Sequence, residues 1–207
     1  MIFENFKKSY LDESPQRLDS SGSAYYSLAP LVSELASIVN VTVLGDNMFS
    51  LRDGDTVYYW VGSKDGQTVD LVTSIDVVTN GVAVVDLTAK NPELSKGPPY
   101  ASDLLVKAAD NLGKAIRFTG SKILSTDGMK MWYNLFKNNH VISVYDNKSD
   151  QYAVNNVTSI EELERYWKDH PEYQRYQYVL SESHSAVFIR GDFTLTEWKR
   201  LSGWPLV

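Results

Sequence analysis

Residues 46 to 146 alternate short β-type runs with turn residues, and this order strongly limits the folds that the chain can adopt. Three dipeptides, Asp53-Gly54, Asp65-Gly66 and Asn80-Gly81, can take the positive φ angles of tight hairpins. The runs around them are rich in Val, Tyr, Trp, Ile and Thr. They predict an antiparallel meander of four strands, at 48–52, 56–63, 68–78 and 82–89.

After the meander, the hydrophobic period changes to that of alternating helices and strands. An apolar stripe over 103–112 predicts a helix that Gly113 ends. A strand over 115–119, a helix over 126–137 capped by Ser125, and a strand over 140–145 follow. The fold class is therefore α/β, a mixed and mostly antiparallel sheet flanked by helices.

The flanks add elements to this core. Pro30 suits the first turn of a helix, and Ser159 with Glu162 forms a capping box that opens another helix, through about residue 168. The tail predicts a strand over 186–190 and a helix near 196–201. We divide the chain into three parts of one domain: an N-terminal arm and helix (1–45), the core (46–150) and a C-terminal helix-strand-helix extension (151–207).

Composition excludes several classes of protein. The 207 residues contain no cysteine, which excludes disulfides, thiolate metal sites and a Cys nucleophile. There is no signal-peptide pattern and no run of 18 apolar residues, so we expect a cytoplasmic protein that does not bind membranes. The net charge of -6 argues against nucleic acid as a partner, although 13 Tyr leave a single-stranded nucleic-acid binder as a second alternative function. His140, His170 and His184 share no metal-ligand spacing, and we expect no metal site.

The loop before the 103–112 helix is the segment with the most chemical content. It reads Lys-Gly-Pro-Pro-Tyr-Ala-Ser from residue 96 to 102 and leads into the start of the helix. A helix start offers unpaired N–H groups and the positive end of the helix dipole, where a diphosphate can bind.

The order of four meander strands, loop, helix, strand, helix and strand resembles the GCN5-related N-acetyltransferase (GNAT) fold over about half of the chain. In that family the loop pattern Gln/Arg-x-x-Gly-x-Gly/Ala holds the diphosphate of acetyl-CoA. Lys96 stands at the Gln/Arg position, Pro99 at the first Gly and Ala101 at the final Gly/Ala. Residues 123–125, 132–135 and 141–146 are also similar to divergent GNAT-like proteins of tailed bacteriophages.

The resemblance implies acetyl-CoA as the cofactor and assigns candidate residues to it. Tyr133, in the helix that resembles the closing helix of the family, is the candidate acid that protonates the leaving thiolate. Asp86, central in the strand before the loop, is the carboxylate best placed to act as a base, directly or through water. A solvent-facing strand residue and a helix-surface tyrosine are the alternative readings of these two positions. The cofactor-binding candidates are Leu87, Lys96, Gly97, Tyr100, Ala101 and Ser102.

The double proline weakens the case for an intact enzyme. Pro98 and Pro99 have no backbone N–H, and Pro99 replaces a glycine that permits close approach. Losing two charge-assisted hydrogen bonds costs about 3 to 6 kcal/mol, or roughly a hundredfold to ten-thousandfold in affinity. We therefore expect a degenerate GNAT-fold protein that mainly binds a protein partner in a virion or an infected host, with Trp198 and Trp204 as anchors. An active acetyl-CoA-dependent N-acetyltransferase acting on a small-molecule or protein amine is the first alternative.

Overall fold

The computed structural model describes residues 23–77, 82–94, 97–118, 126–167, 172 and 175–181. These residues form four helices and nine strands. The helices are α1 (Ser23–Ile38), α2 (Ala101–Leu112), α3 (Thr126–Lys137) and α4 (Ile160–Arg165). The strands are β1 (Thr42–Gly45), β2 (Met48–Asp53), β3 (Thr56–Gly62), β4 (Val69–Val77), β5 (Val82–Lys90), β6 (Ala115–Phe118), β7 (Ile142–Asp146), β8 (Gln151–Val154) and β9 (Tyr176–Leu180).

All nine strands belong to one sheet, in the order β1-β2-β3-β4-β5-β6-β9-β7-β8. Every neighbouring pair is antiparallel except β5 and β6, which are parallel and joined through α2. The prediction of a mixed, mostly antiparallel sheet flanked by helices is thus confirmed. The position of β9, between β6 and β7, does not follow the order of the chain.

The sheet separates two hydrophobic cores. On β3, Val57, Tyr59 and Val61 point toward α2, α3 and α4, whereas Tyr58 and Trp60 point toward α1. All of these side chains are buried, as expected for a central strand covered on both faces. The two faces are called the α2 face and the α1 face below.

Several helix ends and caps agree with the sequence prediction. Helix α3 has the predicted bounds, and α2 ends at Gly113, which adopts a left-handed conformation with φ of 58°. The hydroxyl oxygen of Ser159 accepts a hydrogen bond from the N–H of Glu162 at 3.1 Å. The carboxylate of Glu162 reaches back to the N–H of Thr158, one residue before the usual capping-box partner, at 2.8 Å.

Helix α1 begins earlier than predicted. It starts at Ser23, so Pro30 lies inside the helix and not in its first turn. The reason is tertiary packing: Ala24 and Leu28 continue the buried stripe of Val32 and Leu35 onto the sheet, while Pro30 lies on the exposed side. Burial of the additional turns offsets the hydrogen bond that a proline removes.

The hairpin connections also differ from the prediction. Asp53 pairs with Thr56, so the two-residue loop between β2 and β3 is Gly54-Asp55, one residue later than predicted. The Asp65-Gly66 turn is part of a six-residue loop, 63–68, because this loop packs against α1: the Gln67 side chain donates to the hydroxyl of Ser33 at 2.9 Å. Asn80-Gly81 lies outside the described residues.

Three short strands were not predicted, namely β1, β8 and β9. The first two are four-residue edge strands, too short for a clear two-residue alternation. Helix α4 ends at Arg165, short of the predicted residue 168. The predicted strand over 186–190 and helix near 196–201 lie outside the described residues.

Candidate functional site

Asp86 and Leu87 lie at a β-bulge of β5. Ser74 pairs with Leu87 and Ile75 pairs with Val85, so Asp86 is the extra residue. Val85 packs on the α2 face, whereas Leu87 packs on the α1 face. Asp86 is exposed on the α1 face, where its charge acts on Tyr58.

The pKa of Tyr58 reflects the negative charges around Asp86. Burial first, and then the charges of Asp53, Asp76 and Asp86, raise the pKa of Tyr58 to about 12. The tyrosine therefore stays neutral at physiological pH. The end of the meander at which these carboxylates collect is acidic.

Strand β5 extends beyond its described pairing with β6. The parallel register runs from Val82 opposite Ala115 to Val85 opposite Phe118. Residues 86–90 continue along β4, from Leu87 opposite Ser74 to Lys90 opposite Leu71. Within the described residues, β6 pairs with β5 only as far as Val85, and the C-terminal half of β5 leads directly to the loop before α2.

A hydrogen bond joins the two ends of the loop before α2. The ammonium group of Lys90 donates a hydrogen bond to the carbonyl oxygen of Gly97. Pro98 and Pro99 follow and offer no N–H groups. Lys96, the first residue of the loop pattern on which the acetyl-CoA prediction rests, lies outside the described residues.

The start of α2 holds the remaining cofactor candidates. Tyr100 is the N-cap residue, 50% exposed, and its side chain makes no capping hydrogen bond. Its carbonyl oxygen accepts from the N–H groups of Asp103 at 3.2 Å and Leu104 at 3.3 Å. Ala101 is half-buried, and the hydroxyl of the buried Ser102 donates to the carboxylate of Asp103 at 3.3 Å. Because Asp103 places a negative charge in the first turn, it opposes a diphosphate at this helix start.

Tyr133 forms a hydrogen bond with a neighbouring helix. It is half-buried on α3, and its hydroxyl donates to the carboxylate of Glu164 on α4. Burial first, and then this hydrogen bond and the charge of Glu164, raise the pKa of Tyr133 to about 12. At neutral pH such a hydroxyl releases its proton less readily than an ordinary tyrosine.

The structure does not bring the two candidate catalytic groups together. Asp86 lies on the α1 face beside Tyr58, whereas Tyr133 belongs to a helix on the opposite face and contacts Glu164. Leu87 is half-buried on the α1 face, while Gly97, Tyr100, Ala101 and Ser102 surround the start of α2. A base and an acid acting on one substrate need to share a cleft.

Sequence reasoning missed two polar partners of this region, Lys90 and Glu164. Lys90 is the last residue of β5 and lies next to the loop, so the strand pattern in the sequence could have indicated it. Glu164 is 31 residues from Tyr133, and no periodicity connects the two. Only the packing of α4 beside α3 places them in contact.

A separate open cavity of about 510 Å³ lies between the end of α1 and the β3–β4 loop. Ile38, 67% exposed, and Val43, 58% exposed, adjoin it along the chain, and Val43 belongs to the edge strand β1. The lining residues are Ala36, Val39, Asn40, Val41, Ser63, Lys64 and Asp65.

No protein-family model, curated protein or solved structure matches the chain. Within the described ranges, no three His, Cys, Asp or Glu side chains are grouped so that they could hold a metal ion. None of the helices that the structure describes is long and apolar enough to cross a membrane.

Proposed function

We propose that the chain is a phage-encoded GNAT-type scaffold whose main role is to bind a protein partner in the virion or in the infected bacterial cell. The order of elements supports the scaffold: β2 to β5 form an antiparallel meander, and α2 connects β5 to the parallel strand β6. Helix α3 and strand β7 follow in the order on which the family resemblance rests.

The single observation that carries this proposal is the composition of the loop before α2. Two prolines remove N–H donors, Lys90 is bonded to the Gly97 carbonyl, and Asp103 adds a negative charge to the first turn. Each of these features weakens the binding of a diphosphate. Binding of acetyl-CoA is therefore expected to be weak or lost.

The candidate catalytic groups support the same conclusion. Tyr133 donates to Glu164 and has a raised pKa, and Asp86 faces the other side of the sheet. A scaffold of this kind retains the fold while its chemistry is lost, because the fold does not depend on the catalytic contacts.

The β1 surface, defined as Ile38, Val39, Val41 and Val43, is the described surface that best suits a protein partner. It joins the exposed Ile38 and Val43 and the half-buried Val39 and Val41 to β1, an edge strand of the described sheet with an outer row of main-chain hydrogen-bonding groups. An extended segment of a partner can pair with β1 and place its side chains over the cavity. Trp198 and Trp204, the anchors proposed from the sequence, lie outside the described residues.

Cofactor binding and transfer test the proposal directly. We expect no rise in the unfolding temperature with 1 mM acetyl-CoA or CoA, and no transfer of label from radiolabelled acetyl-CoA to amines. Transfer that Tyr133→Phe abolishes would contradict the proposal and favour the active enzyme.

Capture from lysates of infected cells tests the binding role. We expect Val43→Asp to lose partners that the wild-type protein retains, because a charge on the edge strand blocks strand addition. Tyr152→Asp, on the opposite edge strand β8, is the matched control and should capture the same partners as the wild type. If the wild type and both variants captured the same partners, the β1 surface would not be the binding surface.

An active N-acetyltransferase is the second candidate function. The specific observation in its favour is the parallel pair of β5 and β6, whose described pairing ends at Val85 and Phe118 while β5 continues toward a helix start. The extended arm of an acyl carrier can lie beside the end of such a pair. The cofactor assays above separate the two functions.

A further inference from the structure

Three polar side chains from adjacent strands share the α1 face at the far end of the sheet. Arg117 on β6 lies opposite Val179 on β9, and Gln177, two residues before Val179, lies opposite Tyr145 on β7. Arg117, Gln177 and Tyr145 point the other way, because their apolar neighbours in the chain pack on the α2 face: Ile116, Phe118, Val144, Tyr176 and Tyr178. The guanidinium of Arg117 lies 4.9 Å from the centre of the Tyr145 ring.

Among the residues that the structure describes, two atoms of this cluster are buried and have no hydrogen-bond partner. Gln177 is only 9% exposed, and its Oε1 atom accepts no hydrogen bond. The Nε atom of Arg117 is likewise buried and makes no hydrogen bond. Buried polar groups are nearly always paired, because an unpaired one loses its hydration without compensation.

In the part of the chain that the structure describes, no carboxylate forms an ion pair with Arg117. Asp150 accepts from the Tyr145 hydroxyl, and the charge of Asp86 acts on Tyr58. Arg175 shows the contrast, since it is paired with both Asp146 and Glu172.

We propose that Arg117, Gln177 and Tyr145 form a binding site for the carboxylate group of a small molecule. One carboxylate oxygen accepts from Nε–H of Arg117, and the other accepts from the side-chain amide of Gln177, turned so that its NH₂ group faces the ligand. The carboxylate supplies the missing negative charge, and the Tyr145 ring supports the guanidinium. Arg117 and Tyr145 are half-buried, and their side chains have to shift for a ligand to reach the two buried atoms. The proposal is independent of whether the chain binds acyl-CoA.

Acetate is the probe for this site, with acetamide as a neutral molecule of the same shape and sodium chloride as the ionic-strength control. We expect a saturable rise in the unfolding temperature with acetate and shifts of the Gln177 side-chain amide resonances in NMR spectra. Arg117→Met should abolish both responses. An equal response to acetamide, or an unchanged acetate response in Arg117→Met, would overturn the proposal.

Gln177→Leu separates a binding role from a structural one. If the amide is kept for a ligand, its replacement by an apolar side chain of similar volume removes an unpaired buried group. The variant should then unfold at a higher temperature than the wild type without ligand, and should show no acetate response. Ser74→Ala, which removes another buried unpaired oxygen on the same face, should leave the acetate response intact. A Gln177→Leu protein that is less stable than the wild type would show that the amide is already paired, and would overturn the proposal.

Discussion

At the scale of single residues, Gly62 determines how the chain leaves β3. Its φ of 152° lies in a region that residues with a side chain avoid, and a Cβ atom there would lie 1.9 Å from the carbonyl oxygen of Thr68. The same oxygen accepts the N–H of Ser63 at 2.8 Å, which closes the loop between β3 and β4. The hydrogen bond that closes this loop can form only because residue 62 has no side chain.

Gly62→Ala is therefore expected to lower the free energy of unfolding by about 3 kcal/mol, the sum of backbone strain and a steric clash. Gly54→Ala is the matched control, because Gly54 also has a positive φ, 59°, but no atom within 4 Å of its Cβ position. This control should lose only about 1 to 2 kcal/mol. Urea denaturation measures both, and equal losses would show that the contact with Thr68 relaxes at no cost.

At the scale of elements, one ion pair joins the end of β7 to the start of β9. Arg175 donates through Nε to the Asp146 carboxylate at 2.8 Å and through a second nitrogen to its other oxygen. The N–H of Lys148 and the hydroxyl of Ser149 donate to the same carboxylate, each at 3.0 Å. The bond with Arg175 is the main cause that holds the pKa of Asp146 well below its usual range.

A lowered pKa in the folded state means that the Asp146 carboxylate stabilises the fold above its unfolded pKa of about 4. This contribution is lost as the pH falls toward the lowered pKa. Asp146→Asn should therefore shift the urea midpoint to lower concentrations at pH 7, and the gap from the wild type should shrink below about pH 4. Asp46→Asn, at an exposed turn residue, should leave the midpoint close to that of the wild type at both pH values. A gap that does not change with pH would contradict the assignment.

At the scale of the whole molecule, β9 unites the two halves of the sheet. It is the last described strand in the chain, yet it lies between β6 and β7 and pairs with both. Leu180, which is buried, lies opposite Ile116 on one side and Ile142 on the other. The second half of the sheet is therefore complete only after this late segment has joined it.

Leu180→Asp is expected to destabilise the protein by more than about 4 kcal/mol, because it buries an unpaired charge between two strands. Tyr152→Asp on the exposed edge strand β8 should change stability by less than about 1 kcal/mol. Thermal and urea unfolding measure both variants. If Leu180→Asp unfolded at the wild-type midpoint, β9 would not be required for the closed sheet.

The sequence by itself determined the elements whose signals are local. The bounds of α3, the end of α2 at Gly113, the cap of α4 at Ser159 and the strands of the meander depend on residues within a few positions of one another. The mixed, mostly antiparallel sheet follows from the order of these elements. The predicted start of α1 and the predicted length of the β3–β4 loop were wrong, because both features depend on packing between α1 and the sheet.

Only the tertiary structure decided which polar groups meet. The Tyr133–Glu164 contact, the position of Asp86 beside Tyr58 and the cluster of Arg117, Gln177 and Tyr145 involve residues that are far apart in the chain. The insertion of β9 between β6 and β7 creates the last of these, because it brings β6 within reach of β7. Hydrophobic periodicity encodes which face of a strand or helix is buried, but it does not encode which strand becomes its neighbour.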